Sequence, residues 1–248
     1  MKSVYTYLLS VIKRKKAGFL VLLDPDRLSG DALLRQAISA SESGADGILL
    51  GTSLLLGNFL ETKILKEIKR KIKIPLILFP GDANQITPLV DAVFFLSLVS
   101  GRNPDFLIGE HVKAAPKIKQ FNIEPIPVGY ILLDSGKLTS VEFMSQTKPI
   151  PQDKPEIVKA HALAAQYLGL KFVYLEAGSG AKESVSTKII KAVKDYTSIP
   201  LIVGGGIKTP KEAQEKVVAG ANFVVIGNIL EKASSFKDFS EFAKAIHK

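Results

Sequence analysis

Two short runs of β-branched and leucine residues, each ending abruptly in glycine, constrain the fold of this chain most. Leu201-Ile202-Val203 leads into Gly204-Gly205-Gly206, and Val224-Val225-Ile226 leads into Gly227. Neither run alternates apolar with polar residues, a pattern typical of strands that are buried on both faces of a parallel sheet. A helix is predicted soon after the first run, with Thr209 as its N-cap. The sequence therefore predicts strands that are followed by tight turns and helices.

The same pattern, an apolar run followed by a turn, recurs along the chain. Further strands are predicted at 19–24, 47–51, 74–80, 92–96, 125–133 and 171–176, with helices between most of them. Eight such strands in 248 residues match the usual size of one (β/α)₈ barrel. We therefore expect a single TIM-barrel domain over residues 1–248, preceded by an amphipathic helix at 3–16. No predicted strand is followed by the G-x-G-x-x-G fingerprint of a dinucleotide-binding sheet.

Two segments depart from the regular alternation. Residues 82–89 are too short and too weakly periodic for a full helix, so we expect the third helix of the barrel to be shortened or replaced by a loop. Residues 134–153 form a loop rich in Ser, Gly, Thr and Pro. We expect a strand pair there around Lys137–Val141, and a loop of this length is usually functional.

Composition excludes several classes of protein. The chain has no cysteine, which excludes disulfides and thiolate chemistry. With three histidines and no cysteine, a four-ligand zinc site is not expected. No apolar run approaches the ~20 residues of a membrane span, and the N-terminus lacks the apolar region of a signal peptide. We therefore expect a cytoplasmic protein.

The chain is basic, with 33 Lys and Arg against 24 Asp and Glu, a net charge of +9. These charges are spread along the sequence, so nucleic-acid binding is not expected. The one dense run is Lys13-Arg14-Lys15-Lys16. It is interpreted as the solvated end of a helix, with peripheral contact to an anionic membrane as the alternative. A positive protein would also steer anionic small substrates.

Glycine-rich turns after the last three predicted strands form a candidate phosphate site. In a (β/α)₈ barrel the active site lies at the C-terminal ends of the strands. Glycines there let backbone N–H groups converge, and a helix N-terminus adds positive charge, so both favour a phosphate. The turns are Ala177-Gly178-Ser179-Gly180, Gly204-Gly205-Gly206 and Gly227-Asn228. The alternative is that the glycines only permit tight turns.

Asp24 and Thr52 follow neighbouring predicted strands, so their oxygens could meet at the barrel mouth. Mg²⁺ takes few protein carboxylates and fills its other positions with water and substrate phosphates. These two residues are therefore the candidate metal ligands. Alternatively, Asp24 is a turn acid, a role that Asp26 could also fill, and Thr52 is a helix cap.

Tyr174 and Glu176 lie on the same face of a predicted strand, because side chains alternate with period two. A carboxylate at the mouth of a strand, beside a phenol, is a candidate general base. An ion pair between Glu176 and a barrel lysine is the structural alternative. The three histidines fall within predicted helices, far from the strand ends, so they are not candidates for acid–base catalysis.

Together these residues resemble the geranylgeranylglyceryl phosphate synthase family, over essentially the whole chain. The most specific element is the heptad Tyr174-Leu175-Glu176-Ala177-Gly178-Ser179-Gly180. Other matching elements are Leu23-Asp24-Pro25-Asp26, Gly51-Thr52-Ser53, Gly204-Gly205-Gly206-Ile207 and Gly227-Asn228.

The resemblance implies a Mg²⁺-dependent prenyltransferase that joins sn-glycerol 1-phosphate to geranylgeranyl diphosphate, forming the first ether bond of archaeal-type lipids. It implies that Asp24 and Thr52 hold the Mg²⁺ and that Glu176, beside Tyr174, takes the proton from the attacking 3-hydroxyl. The residues that it implies for glycerol phosphate are Tyr174, Leu175, Glu176, Ala177, Gly178, Ser179, Gly180, Gly204, Gly205, Gly206, Gly227 and Asn228.

One position departs from the pattern of some members, which have lysine two residues before the aspartate, where this chain has Leu22. Other cations, Arg102 among them, would then hold the diphosphate, or the chain belongs to a second branch of the family. The runs 77–81 and 94–98 also look like that branch, whose members are often oligomers built from dimers. A prenyl tail needs a long apolar groove, which we expect beside residues 82–92.

Two other functions stay open on the sequence. One is a different phosphate-binding TIM-barrel enzyme, such as an isomerase or synthase of phosphorylated sugars. The other is a non-catalytic protein that binds phosphorylated metabolites.

Overall fold

A computed structural model describes residues 3–52, 62–227, 229 and 236–247. The strands are β1 (Gly18–Leu23), β2 (Gly47–Leu50), β3 (Leu76–Leu78), β4 (Ala92–Leu98), β5 (Glu124–Leu132), β6 (Phe172–Glu176), β7 (Leu201–Gly204) and β8 (Phe223–Ile226). The α-helices are α1 (Val4–Lys15), α2 (Gly30–Glu42), α3 (Thr62–Lys71), α4 (Glu110–Phe121), α5 (Ser140–Ser145), α6 (Pro155–Tyr167), α7 (Thr187–Tyr196), α8 (Pro210–Val218) and α9 (Phe236–Ile246).

The eight strands form a closed parallel barrel in chain order, and β8 pairs with β1. Successive side chains alternate between the barrel interior and the surrounding helices. In β1, for example, Leu20 packs inside with Phe94 and Phe172, whereas Phe19 and Val21 pack in the outer layer. Both faces of each strand are therefore apolar, which is why the sequence shows runs without alternation. The predicted (β/α)₈ barrel is confirmed.

Helix α1 closes the end of the barrel at which the strands begin. Its buried residues Val4, Leu8 and Val11 belong to the interior cluster, together with Phe172 and Phe223 at the starts of β6 and β8. The predicted helix before the barrel is therefore confirmed, and it leaves the opposite end of the barrel open for a site.

The carboxylate of Glu124, at the start of β5, fastens α1 to the barrel. It accepts hydrogen bonds from the backbone N–H groups of Val4 and Tyr5 and from the hydroxyl of Ser3. The first amides of a helix lack partners within the helix, and the helix dipole favours a negative charge there. A residue about 120 positions away in sequence thus caps this helix.

The basic run at 13–16 lies at the closed end of the barrel. Lys13, Arg14 and Lys15 form the last turn of α1, where cations are favourable, as expected for a helix end. Lys15 also forms an ion pair with the buried Asp46, with Nζ and Oδ1 2.7 Å apart. Asp46 in turn accepts hydrogen bonds from His247 and the amide of Phe19.

Between β3 and β4 the chain forms only a short 3₁₀ helix, Ala83–Gln85, so the prediction of a shortened third helix is confirmed. The helix predicted after Pro104 begins as a π-helical turn, Asp105–Gly109, and continues as α4. Within the described residues, every helix is too short or too polar to cross a bilayer.

The strand pair predicted around Lys137–Val141 is wrong. The segment turns at Gly136, whose φ is +76° and whose amide donates to the Asp134 side chain, and then forms the short helix α5. A closed barrel has no free strand edge with which an additional pair could align. One isolated bridge, between Leu133 and Ile150, is the β-structure that forms here.

We predict that Glu124→Gln lowers the free energy of unfolding by about 1–2 kcal/mol, because α1 loses a charged cap. Urea unfolding followed by circular dichroism measures this change. Glu156→Gln is the matched control, since Glu156 is an exposed acid in the first turn of α6. Equal, small effects of both substitutions would contradict the role assigned to Glu124.

Candidate active site

The C-terminal ends of β6 and β7 place the candidate base beside a glycine turn. Glu176 is the last residue of β6, and Gly204, the last residue of β7, is its partner in the parallel register. The turn Gly205-Gly206-Ile207 follows immediately. The strand pairing therefore brings together the acid and the triple-glycine turn, as the sequence predicts.

The Glu176 carboxylate is packed against backbone. Its side chain is nearly buried, and Oε1 accepts a 2.6 Å hydrogen bond from the amide of Gly178. A Cβ atom at Gly205 would lie 2.1 Å from Oε1, and the φ of Gly205 is +83°. Gly204 is equally constrained, because a Cβ there would lie 2.2 Å from the hydroxyl oxygen of Tyr174. The glycines therefore make room for these two side chains.

Burial raises the pKa of Glu176 from 4.5 to about 7, although the amides of Gly178 and Ala177 and the Tyr174 phenol favour the charged form. Desolvation disfavours an ionised carboxylate in this way. A base whose pKa lies near neutrality can both take a proton and release it at physiological pH. Among the described residues Glu176 has no ion pair within 4 Å, so the structural alternative, a lysine partner, is not observed.

Two tyrosines lie beside Glu176. Burial raises the pKa of both Tyr130 and Tyr174 well above 10, with a further contribution from the Glu176 charge, so both phenols are neutral. The Tyr174 hydroxyl makes no hydrogen bond of regular geometry to the described residues, although its proximity to Glu176 affects the pKa of each group. Tyr174 thus has a buried donor oriented towards the carboxylate and Gly204.

The turn after β7 forms a nest of backbone amides. Gly205 and Gly206 both have positive φ, +83° and +70°, and within the described residues the amides of Gly205, Gly206 and Ile207 have no acceptor. Successive N–H groups in such a turn make a concave anion site. A cavity opens over this nest, and we call it the polar pocket because four cationic side chains line it: Arg27, Lys137, Lys182 and Lys208.

The N-terminus of α8 does not contribute as the sequence suggests. Thr209 caps it, as predicted, but Glu212 completes a capping box and accepts from the amides of Lys208 and Thr209. These amides and the local positive potential are therefore already used by a carboxylate. The nest at Gly205–Ile207, rather than the helix end, is the part of this turn that can bind an anion.

The ends of β1 and β2 bring a second group of oxygens to the mouth. Thr52 donates a 2.6 Å hydrogen bond to Asp26, and Asp24 accepts the amide of Asp26 at 2.9 Å. Arg27 lies 3.3 Å from Asp24 and reaches towards Ser179, at 3.5 Å. The Thr52 hydroxyl also lies within hydrogen-bond reach of the Asp24 carboxylate, so the predicted pair does meet, and Asp26 joins it.

Burial raises the pKa of Asp24, opposed by the hydrogen bond from Asp26 and the charge of Arg27. A nearby cation favours the ionised form of such a carboxylate. Within the described residues there is no cluster of three or more His, Asp or Glu with metal-site geometry. Two carboxylates and one hydroxyl fit a Mg²⁺ that takes its other ligands from water and phosphate.

An apolar groove runs from the mouth along the flank left open by the short 3₁₀ helix. Apolar and aromatic side chains dominate its lining, which includes Phe79, Ile86, Phe94, Phe95, Leu96 and Phe106. Asp24 and Thr52 lie at its mouth, and Ala114 and His111 line it on the side of α4. The groove expected beside residues 82–92 is therefore present.

The remaining predicted site residues do not all lie at the two cavities. Gly180 and Gly227 line the polar pocket, whereas the side chains of Leu175 and Ala177 are buried in the outer layer, so their role can only be through the backbone. Asn228 lies outside the described residues, as does Ser53 of the resemblance. Arg102 lines neither cavity and donates to the carbonyls of Gly101 and Ser100.

Several lining residues were not predicted: Arg27, Lys137, Lys182, Lys208, Phe79 and Tyr130. The sequence indicates these residues only by their position, because each lies near or shortly after the C-terminal end of a strand. Surface lysines are too common in this chain for that signal to select the four cations.

The site combines an amide nest, a desolvated acid and an adjoining apolar groove at the mouth of a parallel barrel. These features define a class of protein: a (β/α)₈ barrel that binds a phosphorylated molecule and an apolar one. A family model described as the PcrB family matches residues 10–246. The chain therefore belongs to the PcrB family.

Named relatives agree with this family. A geranylgeranylglyceryl phosphate synthase from Nitrosopumilus maritimus is 42% identical, over 99% of this chain and 97% of its own length. One from Chitinophaga pinensis is 40% identical, over 96% and 94%. The solved structure of (S)-3-O-geranylgeranylglyceryl phosphate synthase from Thermoplasma acidophilum, in complex with sn-glycerol-1-phosphate, superimposes with a TM-score of 0.92 at 32% identity, covering 100% and 99% of the two chains.

We predict that Glu176 titrates near pH 7, because its carboxylate is desolvated. Carbon-13 NMR of glutamate-labelled protein measures the titration, and the resonance that Glu176→Gln removes identifies the residue. Glu110 is the internal control: hydrogen bonds from Lys113 and Ala83 outweigh its burial and lower its pKa. A midpoint near the ordinary 4.5 for Glu176 would contradict the described environment.

Proposed function

We propose that this protein is a prenyltransferase that joins sn-glycerol 1-phosphate to geranylgeranyl diphosphate through the glycerol 3-hydroxyl, with release of diphosphate. One observation carries the proposal: the polar pocket and the apolar groove adjoin, and five residues line both of them, Leu22, Phe79, Tyr130, Val141 and Ser179. We call this common lining the shared wall. A polar phosphorylated reactant and a long apolar one can therefore meet, with Glu176 on the pocket side. The names of the 40–42% identical relatives support the same reaction.

The amide nest at Gly205–Ile207 suits the phosphate of glycerol phosphate. Three N–H donors there have no acceptor in the described part of the chain and are available to an anion, and Lys182 and Lys208 add positive charge at the rim of the pocket. Lys208 is itself oriented by a hydrogen bond from Nζ to the carbonyl of Lys182, at 3.1 Å. With the phosphate at this end, the glycerol hydroxyls extend towards Glu176 and Tyr174.

The apolar groove suits the prenyl chain. It is open because the connection between β3 and β4 lacks a full helix, so that half-buried apolar side chains such as Phe95 and Leu96 border it. Removing a prenyl chain from water there is favourable by roughly 25 cal/mol for each Å² buried. The diphosphate head would then lie at the mouth, near Asp24 and Thr52.

Mg²⁺ is the proposed cofactor, held by Asp24 and Thr52 with Asp26 beside them. The Thr52 hydroxyl donates to Asp26, so its oxygen is the atom that would act as a ligand. When bound, the ion would stabilise the negative charge of the departing diphosphate as a Lewis acid. Arg27, which bridges Asp24 and Ser179, brings a cation of the chain to the same place and can assist there. It takes the role that the sequence analysis suggested for Arg102.

The transfer then needs one proton acceptor. The glycerol oxygen forms a bond to C1 of the prenyl group, the C1–O bond to diphosphate breaks, and the hydroxyl proton passes to the Glu176 carboxylate. Because its pKa is about 7, Glu176 is ionised above that pH and can accept the proton, whereas below it the base is lost. Tyr174, a neutral buried donor, keeps the carboxylate and the substrate hydroxyl oriented.

A cytoplasmic location and a homo-oligomeric assembly belong to the same proposal. Exposed apolar side chains on the helices after β4 and β5 support assembly: Val112 is 65% exposed, and Tyr167 and Leu168 are 78% and 72% exposed. The basic end of α1, at the closed end of the barrel, is the part of the surface that supports a peripheral membrane contact.

We predict that Glu176→Gln lowers kcat by about 10²–10⁴, because general-base catalysis typically contributes that much, while binding of sn-glycerol 1-phosphate is retained. Product formation is measured by mass spectrometry of the phospho-ether, with magnesium present, and binding is measured by calorimetry. In the wild type, log(kcat/KM) should rise with pH and level off above about 7. A rate within about threefold of wild type would exclude Glu176 as the base, and binding without any product in the wild type would indicate a non-catalytic binder.

We predict that Gly205→Ala lowers kcat/KM about 100-fold or more, because the new Cβ would displace the Glu176 carboxylate, and small displacements of reacting groups cost that much. Gly169→Ala is the matched control, since Gly169 has a similar φ, +78°, and nothing lies within 4 Å of its Cβ position. Both variants carry the same backbone strain. Equal activities of the two variants would show that the contact with Glu176 is unimportant.

A further inference from the structure

The shared wall, which lines both the polar pocket and the apolar groove where they adjoin, contains two aromatic rings, Phe79 and Tyr130. If the pocket holds glycerol phosphate and the groove holds the prenyl chain, the carbon that reacts must lie against this wall. The inference below therefore rests on the proposed function. It concerns what these rings contribute to the reacting carbon.

The two rings belong to a compact cluster with Tyr174. Ring centroids lie 6.2 Å apart for Phe79 and Tyr130, 5.4 Å for Phe79 and Tyr174, and 5.3 Å for the stacked pair Tyr130 and Tyr174. Tyr130 and Tyr174 are also register partners on β5 and β6. Each ring is thus held by the other two and by the barrel.

Phe79 is fixed from its backbone as well. Its amide donates to the carbonyl of Leu50 at 2.8 Å, and its own carbonyl lies where a Cβ at Gly51 would be, with only 1.8 Å between them. The glycine at the end of β2 therefore permits the close approach that places the Phe79 ring at the mouth. The wall is preorganised rather than assembled by the substrate.

The reaction places positive charge next to this wall. As the C1–O bond of an allylic diphosphate lengthens, the electron pair leaves with the diphosphate, and positive charge spreads over C1 and C3 of the prenyl group. The face of an aromatic ring carries negative potential and attracts a cation, more strongly where water is excluded. Tyr130 is 7% exposed and its neighbour Tyr174 is fully buried, so water is largely excluded from this part of the wall, whereas Phe79 is half-buried.

The neutrality of the phenols also matters. Burial raises the pKa of Tyr130 and Tyr174 well above 10, so neither presents a phenolate that would capture the carbon in place of the glycerol oxygen. The rings can thus stabilise the charge without competing as nucleophiles.

We propose that Phe79 and Tyr130 are further catalytic residues, whose ring faces stabilise the allylic positive charge that develops during prenyl transfer. The glycerol oxygen then forms the new C1–O bond and its proton passes to Glu176, so the rings are unchanged at the end. Apolar lining alone would need only side chains of the same size.

Fluorination separates these two roles, since it weakens the negative potential of a ring with little change in its shape. We would replace Phe79 in turn by 4-fluoro-, 3,5-difluoro- and 3,4,5-trifluorophenylalanine and measure kcat, KM for both substrates and the melting temperature. We expect kcat to fall stepwise, by about tenfold or more over the series, corresponding to about 1.4 kcal/mol, with KM and the melting temperature nearly constant. The same series at position 130 gives a second, independent measurement, with each variant compared with Tyr130→Phe, because the fluorinated phenylalanines also lack the tyrosine hydroxyl.

Phe242 is the matched control, because it is a buried phenylalanine on α9 that stacks on Phe19 in the outer layer, away from both cavities. Its fluorinated variants should have wild-type kcat. A kcat that stays within twofold across both the Phe79 and the Tyr130 series, in an enzyme that makes product, would overturn the inference and leave the proposed function intact. Absence of product from the wild-type protein would overturn the proposed function itself.

Discussion

The burial of one carboxylate, Glu176, is the constraint on which the arrangement of the mouth depends. Taking an ionised acid out of water is costly unless hydrogen bonds or charges compensate for it. Here the compensation comes from the amides of Gly178 and Ala177 and from the Tyr174 phenol, and it leaves the pKa near 7, well above the ordinary value of a carboxylate. Gly204 and Gly205 lack side chains where Tyr174 and Glu176 need the space. The glycines that form the turn therefore also leave the space in which Glu176 is buried, and this burial raises its pKa.

The same turn serves a second purpose, which explains its density of glycine. Residues with positive φ release the amides of Gly205, Gly206 and Ile207 from the sheet and direct them to one side. On the other side of the mouth, the reduced connection between β3 and β4 exposes apolar interior that a full helix would cover. A phosphorylated reactant and an apolar one can therefore meet beside Phe79 and Tyr130, near the turn that contains Asp24. The barrel itself supplies only the convergence of strand ends.

Much of this could be predicted, because it depends on local pattern. Unbroken apolar runs identify strands buried on both faces, and period two places Tyr174 and Glu176 together. One failure depends on the whole fold, because the strand pair at Lys137–Val141 had no edge to join in a closed barrel. The other is local: Glu212 completes a capping box with Thr209 and so occupies the start of α8, whose positive charge was expected to favour a phosphate. Arg27 and Tyr130 gave no distinguishing signal, since only the fold shows which of many cations and aromatics line a cavity.

The central claim is that the pocket and the groove deliver their reactants to one point beside Glu176. A crystal structure with sn-glycerol 1-phosphate and a non-reactive thio-analogue of the prenyl diphosphate tests it most directly. The account predicts the phosphate on the amides of Gly205–Ile207, the prenyl chain in the groove, and the 3-hydroxyl oxygen within about 3.5 Å of C1, the range of a near-attack geometry. Glu176 should accept a hydrogen bond from that hydroxyl. Two ligands bound with their reactive atoms far apart, or a hydroxyl turned away from Glu176, would contradict it.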